Sequence, residues 1–164
     1  MDEKDDAMTA EVRVLHSGDE RILMNAAPEV FDNPIDANLT REFLEDPRHH
    51  IVVAIDDGKV IGFASGVHYV HPDKAPQLWI NEVGLAPSYR NRGLGKALLR
   101  ALFEVGQAHQ CEVAWVLTYR SNPTAMALYA SVGGMEGADD SGPGDLMVGY
   151  TFSLKDTRQP DASQ

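Results

Sequence analysis

The densest run of residues that could do chemistry is Ile80-Asn81-Glu82-Val83-Gly84-Leu85-Ala86-Pro87-Ser88-Tyr89-Arg90-Asn91-Arg92-Gly93-Leu94-Gly95-Lys96-Ala97-Leu98-Leu99. Arg90, Arg92 and Lys96 concentrate positive charge around Gly93 and Gly95, in a chain whose formal net charge is −11. From Gly93 the apolar residues Leu94, Leu98, Leu99, Leu102, Phe103 and Val105 recur at helical spacing, so a helix through about His109 is expected. A helix start presents unpaired backbone N–H groups and the positive end of the helix dipole, which together hold phosphate. Gly93 and Gly95 would let that backbone come close to the anion. The chemistry expected of Arg90–Lys96 is therefore phosphate or pyrophosphate binding. A dinucleotide turn would need a third glycine where Leu98 stands, and a nucleoside triphosphate loop would need Ser or Thr where Ala97 stands.

A second block, Ser121-Asn122-Pro123-Thr124-Ala125-Met126-Ala127-Leu128-Tyr129, ends at Gly133-Gly134. Asn122 can cap a helix that has proline at its first position, and the glycines end it. Asn122 and Tyr129 stand two helical turns apart, on one face. Glu82 is a carboxylate within an apolar strand, where burial without a partner is costly. It must face solvent or a cleft.

Other residue types offer less. Cys111 is alone, so no disulfide framework or paired-cysteine zinc site is expected, and its apolar setting reads as a small buried hydrophobe. His49 and His50 are neighbours in a strand and point to opposite faces, so they do not chelate one ion, and no metal site is expected. The acidity, with a pI near 4.8, disfavours nucleic acid and anionic membranes and favours a cationic partner. No apolar run approaches the roughly 20 residues of a membrane-spanning helix, and the N-terminus is acidic, so a cytoplasmic protein is expected.

These groups must be positioned by a mixed α/β fold. Glu11–Leu15 reads as a strand, a helix follows from Ser17-Gly18-Asp19 to about Ala27, and Asn38 caps a short helix ending before Pro47. Asp57-Gly58 between two apolar runs predicts a hairpin of Ile51–Ile55 with a strand continuing to about Val70. A strand over Gln77–Leu85 leads into the phosphate turn. The nearly continuous apolar run Val113–Leu117 predicts a strand buried on both faces, and Leu146–Leu154 a final strand. The order is strand, two helices, three strands, helix, strand, helix, strand: a sheet of about six or seven strands flanked by about four helices. A single domain over residues 11–155 is expected, with polar tails at 1–10 and 156–164.

Arg90-x-x-Gly93-x-Gly95, preceded by the strand end Val83-Gly84-Leu85-Ala86-Pro87, resembles the coenzyme-binding signature of the GCN5-related N-acetyltransferases, the GNAT superfamily. The Asn122–Tyr129 block resembles a second motif of that family, and the likeness runs from about Glu11 to Leu154. It departs at Gly134, where the family usually has an aromatic residue, with a consequence expected only in local packing. The resemblance implies a mostly antiparallel sheet in which a central parallel pair splays apart. It implies acetyl-coenzyme A as co-substrate. Val83, Gly84 and Leu85 would bind its pantetheine arm, and Arg90, Asn91, Arg92, Gly93, Leu94, Gly95 and Lys96 its pyrophosphate, with Ser121, Asn122 and Tyr129 also in contact. It further implies Tyr129 as the acid for the departing thiolate, and a homodimer.

At finer resolution Trp79–Val83 and the loop Phe31-Asp32-Asn33-Pro34 resemble the type I aminoglycoside 3-N-acetyltransferases, which carry an acidic residue at the position of Glu82. The expected acceptor is then a cationic small-molecule amine, first of all an aminoglycoside. Glu82 is its anchor or base, Asp32 and Asp145 add carboxylates, and Asp36, Asp139 and Asp140 could contribute. A polyamine or a protein or peptide amine is an alternative acceptor, and a non-catalytic acyl-coenzyme A sensor is an alternative role.

Overall fold

In a computed structural model of the chain, residues 10–136 and 147–155 are described. Among the described residues seven strands form one sheet, in the order β1-β2-β3-β4-β5-β7-β6. They are β1 (Glu11–Val14), β2 (His49–Asp56), β3 (Lys59–His71), β4 (Lys74–Leu85), β5 (Val113–Tyr119), β6 (Met135–Glu136) and β7 (Met147–Ser153). Among these strands only β4 and β5 pair in parallel. The helices are α1 (Glu20–Met24), α2 (Ala37–Glu45), α3 (Leu94–Ala108) and α4 (Pro123–Ser131), with a short 3-10 turn at Pro87–Tyr89. The expected mixed sheet with four helices is what forms; the short strand β6 was not anticipated.

The Asp57-Gly58 hairpin forms as read, with both turn residues at positive φ. Alternation then sorts the side chains of β2 and β3. On one face Leu98 of α3 lies near Gly62, where a Cβ would come within 3.4 Å of it. On the other face Phe31 stacks on Phe63 with ring centroids 4.2 Å apart, and Phe43 of α2 stacks on His49. The sheet is thus covered on both sides, and Val52, Val53, Ala54, Ala64, Leu78, Ile80, Leu98, Leu99 and Leu102 are fully excluded from water. At about 25 cal/mol per Å2 of apolar area, such side chains are the main stabilising element of the fold.

Several boundaries differ from the reading above. α1 stops at Met24 because the chain turns there to join β3: Val60 N–H donates to Asn25 O at 3.0 Å, and Ala27 N–H to Val60 O at 2.8 Å. α2 is capped by Asp36, whose carboxylate accepts from Leu39 N at 2.8 Å, so Asn38 lies inside the helix. β5 is not buried on both faces: Ala114, Val116 and Thr118 point inward, while Leu117 and Tyr119 are exposed. Its apolar run is a one-sided strand with an apolar outer face. Gly134 is required where it stands, because a Cβ there would lie 2.5 Å from the Phe152 ring and 2.6 Å from Tyr129 O. The ring of Phe152 occupies the space beside Gly134.

Candidate active site

Two irregularities in β4 shape the site. The first is a bulge. Glu82 pairs with Ser65, but the next partner pair is Ile80 with Gly66, so Asn81 is an extra residue. In a regular strand Glu82 would share the face of Ile80, which is wholly buried. The bulge turns it over to the face of Ser65, Phe63 and Gly84. Above that face lies the loop carrying Phe31 and Asp32. Gly84 allows the loop to settle there, since a Cβ on Gly84 would lie 2.6 Å from the Phe63 ring and 2.7 Å from Val30 O.

The second irregularity is a splay. β4 pairs with β5 only through Gln77, Leu78 and Trp79, opposite Val113, Ala114 and Trp115. Beyond Trp115, β5 continues with β7 alone, and the β5 side of Ile80–Leu85 forms no ladder with it. Backbone groups there are available to a ligand's amides.

A cavity of about 810 Å3 opens at this splay. Its wall brings together Asp32, Glu82, Val83, Gly84, Leu85, Arg90, Asn91, Gly93, Leu94, Gly95, Lys96, Asn122 and Tyr129. All were singled out from the sequence. Arg92 and Ser121 do not line it. The Arg92 guanidinium instead sits 5.2 Å from the centre of the Tyr89 ring, and the Tyr89 hydroxyl donates to Asp56 Oδ2 at 2.5 Å. Arg92 and Tyr89 brace the turn rather than line the cavity. Asp145, Asp139 and Asp140 lie outside the described residues, and Asp36 is occupied in capping α2. Glu29, Val30, Thr124 and Leu128 also line the cavity, and nothing in their types marked them.

The phosphate turn has a defined backbone. Asn91 has φ 62° and Gly93 φ 79°, both left-handed, on either side of Arg92. Alternating handedness of this kind aims successive N–H groups to one side, a concavity for anions. Gly93 precedes α3 with no side-chain cap on the helix, so the first N–H groups are not taken by a capping side chain. The glycines serve different ends. A Cβ on Gly93 would meet nothing within 4 Å, so Gly93 supplies conformation. A Cβ on Gly95 would come within 3.1 Å of Leu128, so Gly95 lets α3 and α4 pack closely. Asn122 caps α4 through its side-chain oxygen, which accepts from Ala125 N at 3.1 Å.

The two catalytic candidates share the cavity in contrasting environments. Burial raises the Glu82 carboxyl above its ordinary pKa, and the negative charge of Asp32 raises it further. The side chain is nonetheless open to the cleft. Burial also raises the Tyr129 phenol, and the charge on Glu82 adds to the effect. Tyr129 is held by Tyr150 and Phe152, whose ring centroids lie 5.7 and 6.2 Å away. A carboxylate that protonates more readily than usual and a phenol that keeps its proton are suited to base and acid roles.

A sequence profile of the acetyltransferase (GNAT) family matches residues 20–134. The chain belongs to this family. Among sequence relatives, this GNAT protein is 31% identical over 87 residues to the L-2,4-diaminobutyric acid acetyltransferase of Nocardia farcinica, covering 53% of this chain and 44% of that one. It is 30% identical over 104 residues to the N-alpha-acetyltransferase RimI of Mycobacterium tuberculosis, covering 63% of each. The match therefore spans less than two thirds of either relative's length.

Solved GNAT structures share the fold. An aminoglycoside acetyltransferase from an uncultured soil metagenomic sample superposes with a TM-score of 0.67 at 22% identity, covering 84% of this chain and 99% of that one. The GNAT domain of PAT from S. lividans gives 0.68 at 15% identity, covering 88% and 90%. These structures show the fold and the profile shows the family; neither singles out the type I 3-N class within it.

Proposed function

We propose that the protein is an acetyl-coenzyme A-dependent N-acetyltransferase whose acceptor is a small molecule with more than one amine. The observation that carries the reading is the bulge at Asn81, which turns Glu82 out of the core to share a cavity with Asp32 and the phosphate turn. Two carboxylates in one cleft suit a substrate with two or more positive charges.

The residues fit the coenzyme. Arg90, Lys96 and the N–H groups from Asn91 into α3 offer charge and donors for the pyrophosphate. The β5-side edge of Val83–Leu85 offers backbone partners for the pantetheine amides. The coenzyme supplies an activated acetyl thioester. Holding the acceptor beside it accounts for much of the acceleration. Most amines are protonated at neutral pH, and Glu82 takes the proton that frees the attacking lone pair. N–H groups of the β4 edge stabilise negative charge on the carbonyl oxygen. The Tyr129 hydroxyl gives its proton to the departing sulfur.

Within this class we place an aminoglycoside first, acetylated at its 3-amino group. The resemblance around Glu82 and the acidity of the chain support this reading. A structural neighbour of the same fold, an aminoglycoside acetyltransferase solved in complex with sisomicin, with a TM-score of 0.65 at 15% identity, supports the aminoglycoside but not the position acetylated. The relatives named for diaminobutyrate and for N-alpha acetylation make diamines and peptides the necessary comparison acceptors. Thiol release from acetyl-coenzyme A, followed with aminoglycosides, polyamines, diaminobutyrate and N-terminal peptides, tests the proposal. Turnover with multiply charged amines above that with peptides supports it. Turnover confined to peptides removes the acceptor assignment, and coenzyme binding with no turnover leaves a sensor.

A further inference from the structure

At the far end of α3 from the phosphate turn, the fold gathers three histidines that sequence spacing did not connect. His50 on β2 stands opposite Gly66 on β3, and His68 lies two residues further along, making the two a diagonal pair on one face. This is the face that α3 crosses, and His109 follows the last turn of α3. One ring nitrogen from each of His50, His68 and His109 lies within 4.8 Å of the other two. The rings are layered, with centroids 5.0 Å apart for His50 and His68, 4.8 Å for His50 and His109, and 4.4 Å for His68 and His109. None of them lines the acetyl-transfer cavity.

We propose that His50, His68 and His109 form a binding site for one divalent transition-metal ion of the zinc, cobalt or nickel type. Three imidazole nitrogens with no thiolate select this class over calcium or magnesium, which prefer oxygen. A tetrahedral ion bound at about 2.0–2.1 Å holds its nitrogen ligands roughly 3.3 Å apart. His50 Nε2 and His68 Nδ1 are now 2.7 Å apart, joined by a hydrogen bond. The ion would replace the shared proton with a separation only slightly larger.

The surroundings agree with this. His50 and His68 are buried at 8% and 9% exposure, so the site is shielded, while His109 is partly exposed and leaves a way in. Two of the ligands are also held by backbone hydrogen bonds. His68 N–H donates to Arg48 O at 3.1 Å, and His109 N–H donates to Val105 O and Gly106 O. Cys111 N–H closes the helix end onto Gly106 O at 2.9 Å. The ion would join β2, β3 and the end of α3 at one point, with a fourth position open to water.

Titrating the untagged, metal-stripped full chain with cobalt(II) tests the site. The proposal expects visible d–d bands of a low-coordinate nitrogen site that saturate at one ion per chain. It also expects Tm to rise by roughly 5–10 °C at a hundredfold excess over Kd. His109→Ala, at a partly exposed helix end, should fold, keep its affinity for coenzyme A and lose the bands. His71→Ala, which removes the exposed histidine beside Asp73, should keep them. Absence of saturable bands in the unaltered protein would overturn the proposal, as would bands that survive His109→Ala or vanish in His71→Ala.

Discussion

Asp32 and Glu82 come from different layers of the fold, yet their carboxylates share one cleft, where burial and the charge of Asp32 both raise the pKa of Glu82. Asp32 is carried over the sheet by Phe31 stacking on Phe63, and Glu82 reaches the same face through the bulge at Asn81. Each explains the other: a cleft built for one carboxylate would not need the loop to deliver a second.

Asp32→Asn should move the acid limb of the pH profile. A base works only when deprotonated, so the rate falls as pH drops through the pKa of Glu82. Removing the negative charge of Asp32 removes one of the causes that raise that pKa. The acid limb of kcat/KM should then shift to lower pH, and KM should rise more for a polyamine than for a monoamine. An unmoved limb would disconnect Asp32 from Glu82.

Tyr129→Phe separates packing from chemistry. The phenyl ring keeps the contacts with Tyr150 and Phe152, so Tm should stay within about 1–2 °C, since away from broken packing most substitutions cost little. If the hydroxyl protonates the departing sulfur, kcat should fall by about 10²–10⁴-fold with little change in coenzyme affinity. Stopped-flow thiol release and calorimetric binding measure the two effects. A large fall in Tm with proportionate loss of activity would make Tyr129 a packing residue alone.

At Gly93 the residue must adopt φ 79°, and a side chain there would find open space rather than a clash. Conformation is therefore the constraint. Gly93→Val should weaken coenzyme binding by at least about tenfold, given a left-handed penalty of roughly 1–2 kcal/mol or more for a branched residue. Gly93→Asn should be milder, because asparagine tolerates this region. Equal losses in calorimetric titrations of coenzyme A would show that bulk decides instead.

Much of this was readable beforehand because it rests on local rules. The Asp57-Gly58 hairpin, the cap at Asn122 and the helix starting after Gly93 depend on residues close in sequence. What escaped depends on distant partners. The end of α1 is set by Val60, and the inner face of β5 by what packs on it. The bulge at Asn81 appears only when β3 is laid beside β4. Gly95 lines the cavity with the rest of the turn, but its close packing against Leu128, thirty-three residues on, is not legible from its neighbours. His50, His68 and His109 are the clearest case. Adjacent His49 and His50 do point to opposite faces, as alternation requires, yet His50 meets partners that only the sheet and the end of α3 deliver.

On this reading Glu82, turned out of the core by the bulge at Asn81, does the acceptor's chemistry beside a bound coenzyme. The direct measurement is thiol release by Glu82→Gln against the unaltered protein, with a polycationic amine as acceptor and coenzyme A affinity determined on both. Coenzyme affinity should be unchanged and kcat lower by about 10²–10⁴-fold. Equal turnover by the two proteins would remove Glu82 from the chemistry.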